Sequence, residues 1–225
     1  MLPVRLPLAH VVDARGGVFV IYADTPILSR VEATPRAEAT CPTCSSRVLA
    51  KCGRIVVWHW AHATGFDCDT WSEPVGPWHL TWQQFAPREC REVVIGRHRA
   101  DLRSPEGHVV ELQHSSLPVD TIAAREAFYG PRMVWVWNAA EAYDSERLEI
   151  RPRAGSTYAT FRWKHPRKSI AACTRTVVLD LGNGTVLRLG KMHPETPCGG
   201  WGHLQPVDRL SAWIQSWRPP EETVI

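Results

Sequence analysis

The chain contains no apolar run approaching the roughly 18 residues that a membrane-crossing helix needs, so no span is expected. Its first ten residues, Met-Leu-Pro-Val-Arg-Leu-Pro-Leu-Ala-His, lack a long apolar segment after a basic one, and no secretory signal is expected. Charge of one sign is scarce: 26 basic residues against 23 acidic ones leave a net charge of +3. That balance permits a nucleic-acid partner without arguing for one. Cysteine is limited to seven, an odd count, and two of the seven form a Cys-x-x-Cys. This argues against a disulfide framework and for a reduced, cytoplasmic protein with some thiolates on a metal. No internal repeat or low-complexity tract stands out. What the chain does have is an ordinary globular composition, 44% hydrophobic and 22% charged in 225 residues, enough for one or two cores. Tryptophan is abundant, with eleven residues that serve either as core or as stacking surface.

The stretch His98–His114 reads as two short strands joined by a tight turn at Ser104-Pro-Glu-Gly107. Pro105 presets φ, and Gly107 can adopt the left-handed conformation that closes a three-residue loop. Ser104 then faces His108, and Asp101 faces Glu111 on the same side of the sheet. Gln113, two residues beyond Glu111, shares that side. Paired carboxylates repel unless solvated or bridged by a cation, and oxygen ligands suit Mg²⁺ or Mn²⁺. The alternative is a solvated face on which Arg99 and Arg103 pair with the acids.

A second constellation precedes it. Cys41-Pro-Thr-Cys44 is separated by fourteen residues from His59-Trp-Ala-His62, close to a two-Cys, two-His spacing for structural Zn²⁺. A hairpin over residues 47–58, broken at Cys52-Gly-Arg54, would bring the two pairs together. Cys52 and Cys68 are spare thiols able to substitute as ligands. The competing reading is reduced thiols beside two core histidines. The short His-x-x-His gap, with no helix between the pairs, excludes a standard DNA-reading finger.

Elsewhere the pattern predicts a strand at Val18–Tyr22, a connector over 23–40, a helix from about Gly76 to Ala86, a strand over 91–96, a helix over 118–129 ending at Gly130-Pro131, and a strand over 132–137. Trp78, Trp82 and Phe85 form the apolar stripe of the first helix, and His79 shares a face with Gln83. Residues 138–156 read as a polar linker. Gly182-Asn-Gly184 marks a hairpin between 176–181 and 185–189, and a short amphipathic helix spans 206–217. Arg162, Lys164, Arg167 and Lys168 with Phe161 and Trp163 form a basic, aromatic segment, a candidate nucleic-acid contact.

In order along the chain, Cys41-Pro-x-Cys44, His59-x-Ala-His62, Glu73 and His79, Arg99-Ala-Asp101, Glu111-x-Gln113-x-Ser115, then Arg125 and Tyr129 resemble the competence protein CoiA-like family over about residues 10–140. The resemblance implies a PD-(D/E)xK restriction-endonuclease-like nuclease core. It implies that Asp101, Glu111 and the carbonyl of Leu112 hold Mg²⁺ or Mn²⁺, with Glu73 as a further contact. Gln113 stands where that core usually has Lys, so His79 or Arg125 would supply the missing charge. Gln83 likewise occupies a place where relatives often carry Lys, and Pro74 directly follows Glu73.

The expectation is therefore a mixed α/β (α+β) chain in three parts. These are an N-terminal β module with a zinc knuckle (1–70), a nuclease core of a mixed sheet flanked by helices (71–140), and a β-rich C-terminal extension (141–225). The expected activity is metal-dependent hydrolysis of single- or double-stranded DNA, alongside DNA-uptake or recombination proteins. Arg99, Arg125, Arg162 and Lys164 are the expected nucleic-acid contacts. The alternative is a DNA-binding accessory protein with a decayed site on the same fold.

Overall fold

A computed structural model describes residues 19–54, 57–63, 68–71, 75–193 and 199–217. The chain divides into two compact units. The first holds the described residues up to Leu80 together with Glu92–Ala100, and the second holds Thr81–Arg91 and the described residues from Asp101 onward. The residues Val18 and Glu73 lie outside the described residues.

Unit 1 is built on short strands. These are β1 (Phe19–Val20), β2 (Tyr22–Ala23), β3 (Val31–Glu32), β4 (Glu38–Thr40), β5 (Arg47–Lys51) and β6 (His59–His62). They form a sheet in the order β1-β6-β5-β4 and a β2-β3 ribbon. Val20, Ala23, Ala39, Val48 and Trp60 fill one core, and Trp60 Nε1 donates to the Val31 carbonyl at 3.0 Å. The strand that answers β5 is His59–His62, in the register Lys51↔His59 to Val48↔His62. The expected hairpin within 47–58 is thus corrected. β5 ends at Lys51, and the return strand is the His-Trp-Ala-His segment itself.

The chain continues through α1 (Pro77–Phe85), β7 (Arg91–Ile95), β8 (His98–Arg103), β9 (Val109–Gln113), α2 (Val119–Tyr129), β10 (Met133–Asn138), α3 (Ala140–Asp144), β11 (Leu148–Pro152), β12 (Tyr158–Trp163), β13 (Thr176–Asp180), β14 (Thr185–Met192), β15 (Gly199–Pro206) and α4 (Val207–Gln215). In unit 2 the sheet order is β11-β12-β15-β14-β13-β10-β9-β8, with β8 contributing from Asp101 onward. The sheet is mixed. β10 runs parallel to both β9 and β13, and the other pairs are antiparallel.

Local chemistry explains the central elements. All five residues of β9 are buried between its two neighbouring strands, the polar Glu111 and Gln113 among them. α2 is the crossover that a parallel β9–β10 pair needs. It ends at Gly130, whose φ of 78° suits glycine and whose N–H donates to the Glu126 carbonyl at 3.0 Å. Trp135 and Trp137 on β10 are fully buried, each contributing about 3 kcal/mol of transfer free energy. Buried Glu126 anchors α2 by accepting from Trp135 Nε1 at 3.0 Å and Thr174 N at 2.9 Å.

Residues 138–156, expected as linker, contain α3 and β11. α3 is only five residues long, too short for a visible helical period. In β11 the buried Leu148 pairs with Trp163 across the sheet, a partner fifteen residues away that local pattern does not reveal.

Candidate functional site

Two groups of chemistry-bearing side chains are assembled, one in each unit. In unit 1, Cys41, Cys44, His62 and Cys68 each place a ligand atom within 4.8 Å of the others. The turn after β4 builds the first pair. Cys41 N donates to the Ser46 carbonyl at 2.8 Å, Ser45 N to the Cys41 carbonyl at 2.8 Å, and Thr43 N to the Cys41 sulfur at 3.4 Å. The register of β6 then presents His62.

A tetrahedral zinc with Zn–S of about 2.3 Å has S···S edges of about 3.8 Å and S···N edges of about 3.5 Å. The Cys41 and Cys68 sulfurs are 3.7 Å apart, and the Cys44 sulfur is 3.2 Å from His62 Nε2. The donor set fits a structural zinc. Burial pushes the Cys44 thiol up, but bonds from Ser46, His62 and Cys68 outweigh it and hold the group down at about 6. Burial, with the neighbouring Cys41, pushes Cys68 up to about 12. A dication bound among these sulfurs would favour the thiolate at each cysteine it touches, Cys68 included.

His59, expected as a ligand, stands apart from this group. Its Nδ1 lies 2.8 Å from the Val57 carbonyl. Adjacent strand residues alternate faces, so His62 on the cluster side leaves His59 on the other. Cys68 takes the fourth place, the thiol that spacing alone left as a spare. Asp69, which the sequence reading overlooked, follows it. Its carboxylate lies 2.8 Å from His98 Nδ1 and accepts from Arg99 N at 2.7 Å. Trp71 stacks on His98 with centroids 3.3 Å apart. The signal for Asp69 was its adjacency to Cys68.

In unit 2, β8 and β9 pair as Leu102↔Val110 and Arg103↔Val109, which sets Asp101 opposite Glu111. The loop is Pro105-Glu-Gly107: Ser104 N donates to the His108 carbonyl at 2.8 Å, and Gly107 has a φ of +84°. The hairpin register agrees with the one the glycine predicts. Asp101 Oδ2 accepts from Leu112 N at 2.7 Å, and Glu111 Oε1 accepts from Asp101 N at 3.3 Å. Glu111 Oε2 accepts from Arg125 Nη1 at 2.8 Å. Burial pushes the Glu111 carboxyl up to about 8, the Asp101 charge adds to this, and Arg125 opposes it.

Gln113 is buried on the same strand, and its Nε2 donates to the Ser115 carbonyl at 2.8 Å. Leu112 is buried between β8 and β10. His79 is buried on α1 within unit 1. Two arginines expected at nucleic acid have carboxylate partners instead. Arg125 is buried against Glu111, and Arg99 lies 2.6 Å from Glu92 with both side chains almost fully covered. Burial beside an acid removes them from the protein surface. Arg162 and Lys164 are exposed.

Residues 29–70 match the family described as competence protein CoiA, N-terminal domain. Over that span the chain is similar to this domain. The matched span contains all four members of the Cys₃His cluster, so the CoiA-like segment and the candidate zinc centre coincide. No curated protein and no solved structure matches the chain. No helix among the described residues is long and apolar enough to cross a membrane.

Proposed function

We propose that the chain is a metal-dependent DNA nuclease or DNA-processing protein with a competence-related role, its N-terminal module stabilised by zinc. The observation that carries this reading is the facing of Asp101 and Glu111 across the β8–β9 hairpin, with the Glu111 carboxyl held near 8. A carboxyl kept protonated by burial and by a like charge is a group that a cation relieves. A bound Mg²⁺ or Mn²⁺ supplies charge stabilisation at the phosphate and an activated water. Asp101 and Glu111 would hold it, and Glu111 gives up its proton as it binds. Arg125 limits the cost of that ionisation. Gln113 can orient a water but carries no positive charge toward the phosphate.

The test is cleavage of linear, nicked and single-stranded DNA by the purified chain with Mg²⁺ or Mn²⁺, against Asp101→Ala. The expected result is cation-dependent cutting that the variant loses. Equal cutting by the variant overturns the reading. A second reading, a DNA-binding accessory protein with an impaired site, is favoured by Gln113 in place of Lys and by Arg125 already occupying Glu111 Oε2. Salt-sensitive binding without any cleavage selects it.

A further inference from the structure

The antiparallel part of unit 2, β11, β12, β15 and β14, turns one face to solvent. Along β12 the alternation is clear: Ala159, Phe161 and Trp163 are buried, whereas Thr160 and Arg162 are exposed. Pairing brings Tyr158 opposite His203 and Thr160 opposite Trp201, so Tyr158, Trp201 and His203 share the outer face. The Tyr158 and Trp201 rings stack with centroids 5.7 Å apart and 26° between planes. His203 meets the two edge-on, at 6.2 Å and 5.9 Å. Thr157 Oγ1 lies 3.1 Å from His203 Nδ1 and steadies that ring.

The sheet is shaped to receive the indole. β14 carries an irregularity between Leu189 and Lys191, and Gly190 is the inserted residue. A Cβ on Gly190 would fall 2.0 Å from Trp201 Cζ3 and 2.3 Å from Cε3. The six-membered ring of Trp201 therefore rests over bare backbone, and the residue stays partly exposed.

The charges around these rings are mostly positive. Arg188 stands opposite His203, Lys191 opposite Trp201 and Arg151 opposite Thr160, with Arg162 one step along β12. Glu149 is the one acid in these rows among the described residues, facing Arg162 and lying 3.3 Å from Arg151. Four cations against one acid, around partly exposed aromatic rings, match a polyanion that carries flat apolar groups. Unpaired bases stack on such rings on four-stranded sheets, while cations track the phosphates. Duplex bases are already stacked on each other and gain nothing from the rings.

We infer that the outer face of β11-β12-β15-β14, centred on Trp201, Tyr158 and His203, binds single-stranded nucleic acid. This goes beyond the proposed function and does not rest on it, because no cation at Asp101 and Glu111 is required.

The test is fluorescence anisotropy of labelled oligothymidine, oligouridine and a DNA duplex with the full chain, without added divalent cation. Single strands are expected to bind in preference to duplex. Trp201→Ala should weaken binding about tenfold, and Trp201→Phe should retain most of it. Arg188→Gln should shallow the log-affinity against log-salt slope by about 0.7. Circular dichroism and thermal melting check folding, and if Trp201→Ala is unfolded the salt slope of Arg188→Gln decides. Unchanged binding by a folded Trp201→Ala, an unchanged salt slope in Arg188→Gln, or duplex bound as well as single strands, overturns the inference. A preference between oligouridine and oligothymidine says which nucleic acid is the ligand. A chain that binds single strands through Trp201 but never cuts keeps this inference and loses the nuclease.

Discussion

Replacing Arg125 by Met should destabilise the protein in a pH-dependent way. Arg125 Nη1 holds Glu111 Oε2 at 2.8 Å, and both side chains are almost fully buried. The Glu111 carboxyl sits near 8 in the folded chain, against about 4.3 for an unfolded glutamate. Its folded value is raised, so the folded state holds a proton that the unfolded state has already released. The stability from this group is complete below about 4.3 and declines as pH rises toward 8, by about 1.4 kcal/mol per unit.

Removing the arginine takes away the cation that opposes this rise, and the decline then continues above 8. Below that point Glu111 is neutral in both proteins, and the variant loses little more than one hydrogen bond, about 1 kcal/mol. Above it the difference should grow by about 1.4 kcal/mol per unit toward the roughly 3–5 kcal/mol of a broken buried pair. Urea unfolding of wild type and Arg125→Met at about pH 6 and about pH 9.5 measures both ends. A companion pair in a Glu111→Gln background, where no proton can be lost, should show a flat difference. An equal loss at both pH values with Glu111 present would refute the argument.

The Cys₃His cluster should retain about one zinc per chain after purification. Cys68→Ser should lose that zinc and lower the melting temperature of unit 1, whereas His59→Ala should keep the metal, as read by atomic absorption. Gly107→Ala, at a φ of +84° with open space around the added methyl, should cost about 1–2 kcal/mol in unfolding free energy through backbone strain alone.

Local sequence determined the elements whose signals are themselves local. The apolar stripe from Trp78 to Phe85 and the Gly130 terminator mark two helices, and Gly107 and Gly182-Asn-Gly184 mark two hairpins. The facing of Asp101 and Glu111 follows from one glycine and a side-chain period of two, so half of the candidate site was legible before any coordinates. Tertiary structure decided everything that depends on which distant residue arrives. It chose Cys68 over His59 in the Cys₃His cluster, because strand alternation carries His59 to the opposite face. It gave Arg125 to Glu111, because α2 packs as the crossover between two parallel strands. It laid Trp201 over Gly190 beside Tyr158, residues far apart in sequence that meet only when β12, β14 and β15 pair. Strand pairing between remote segments is set by the free energy of the whole sheet, and no short window of sequence contains that quantity.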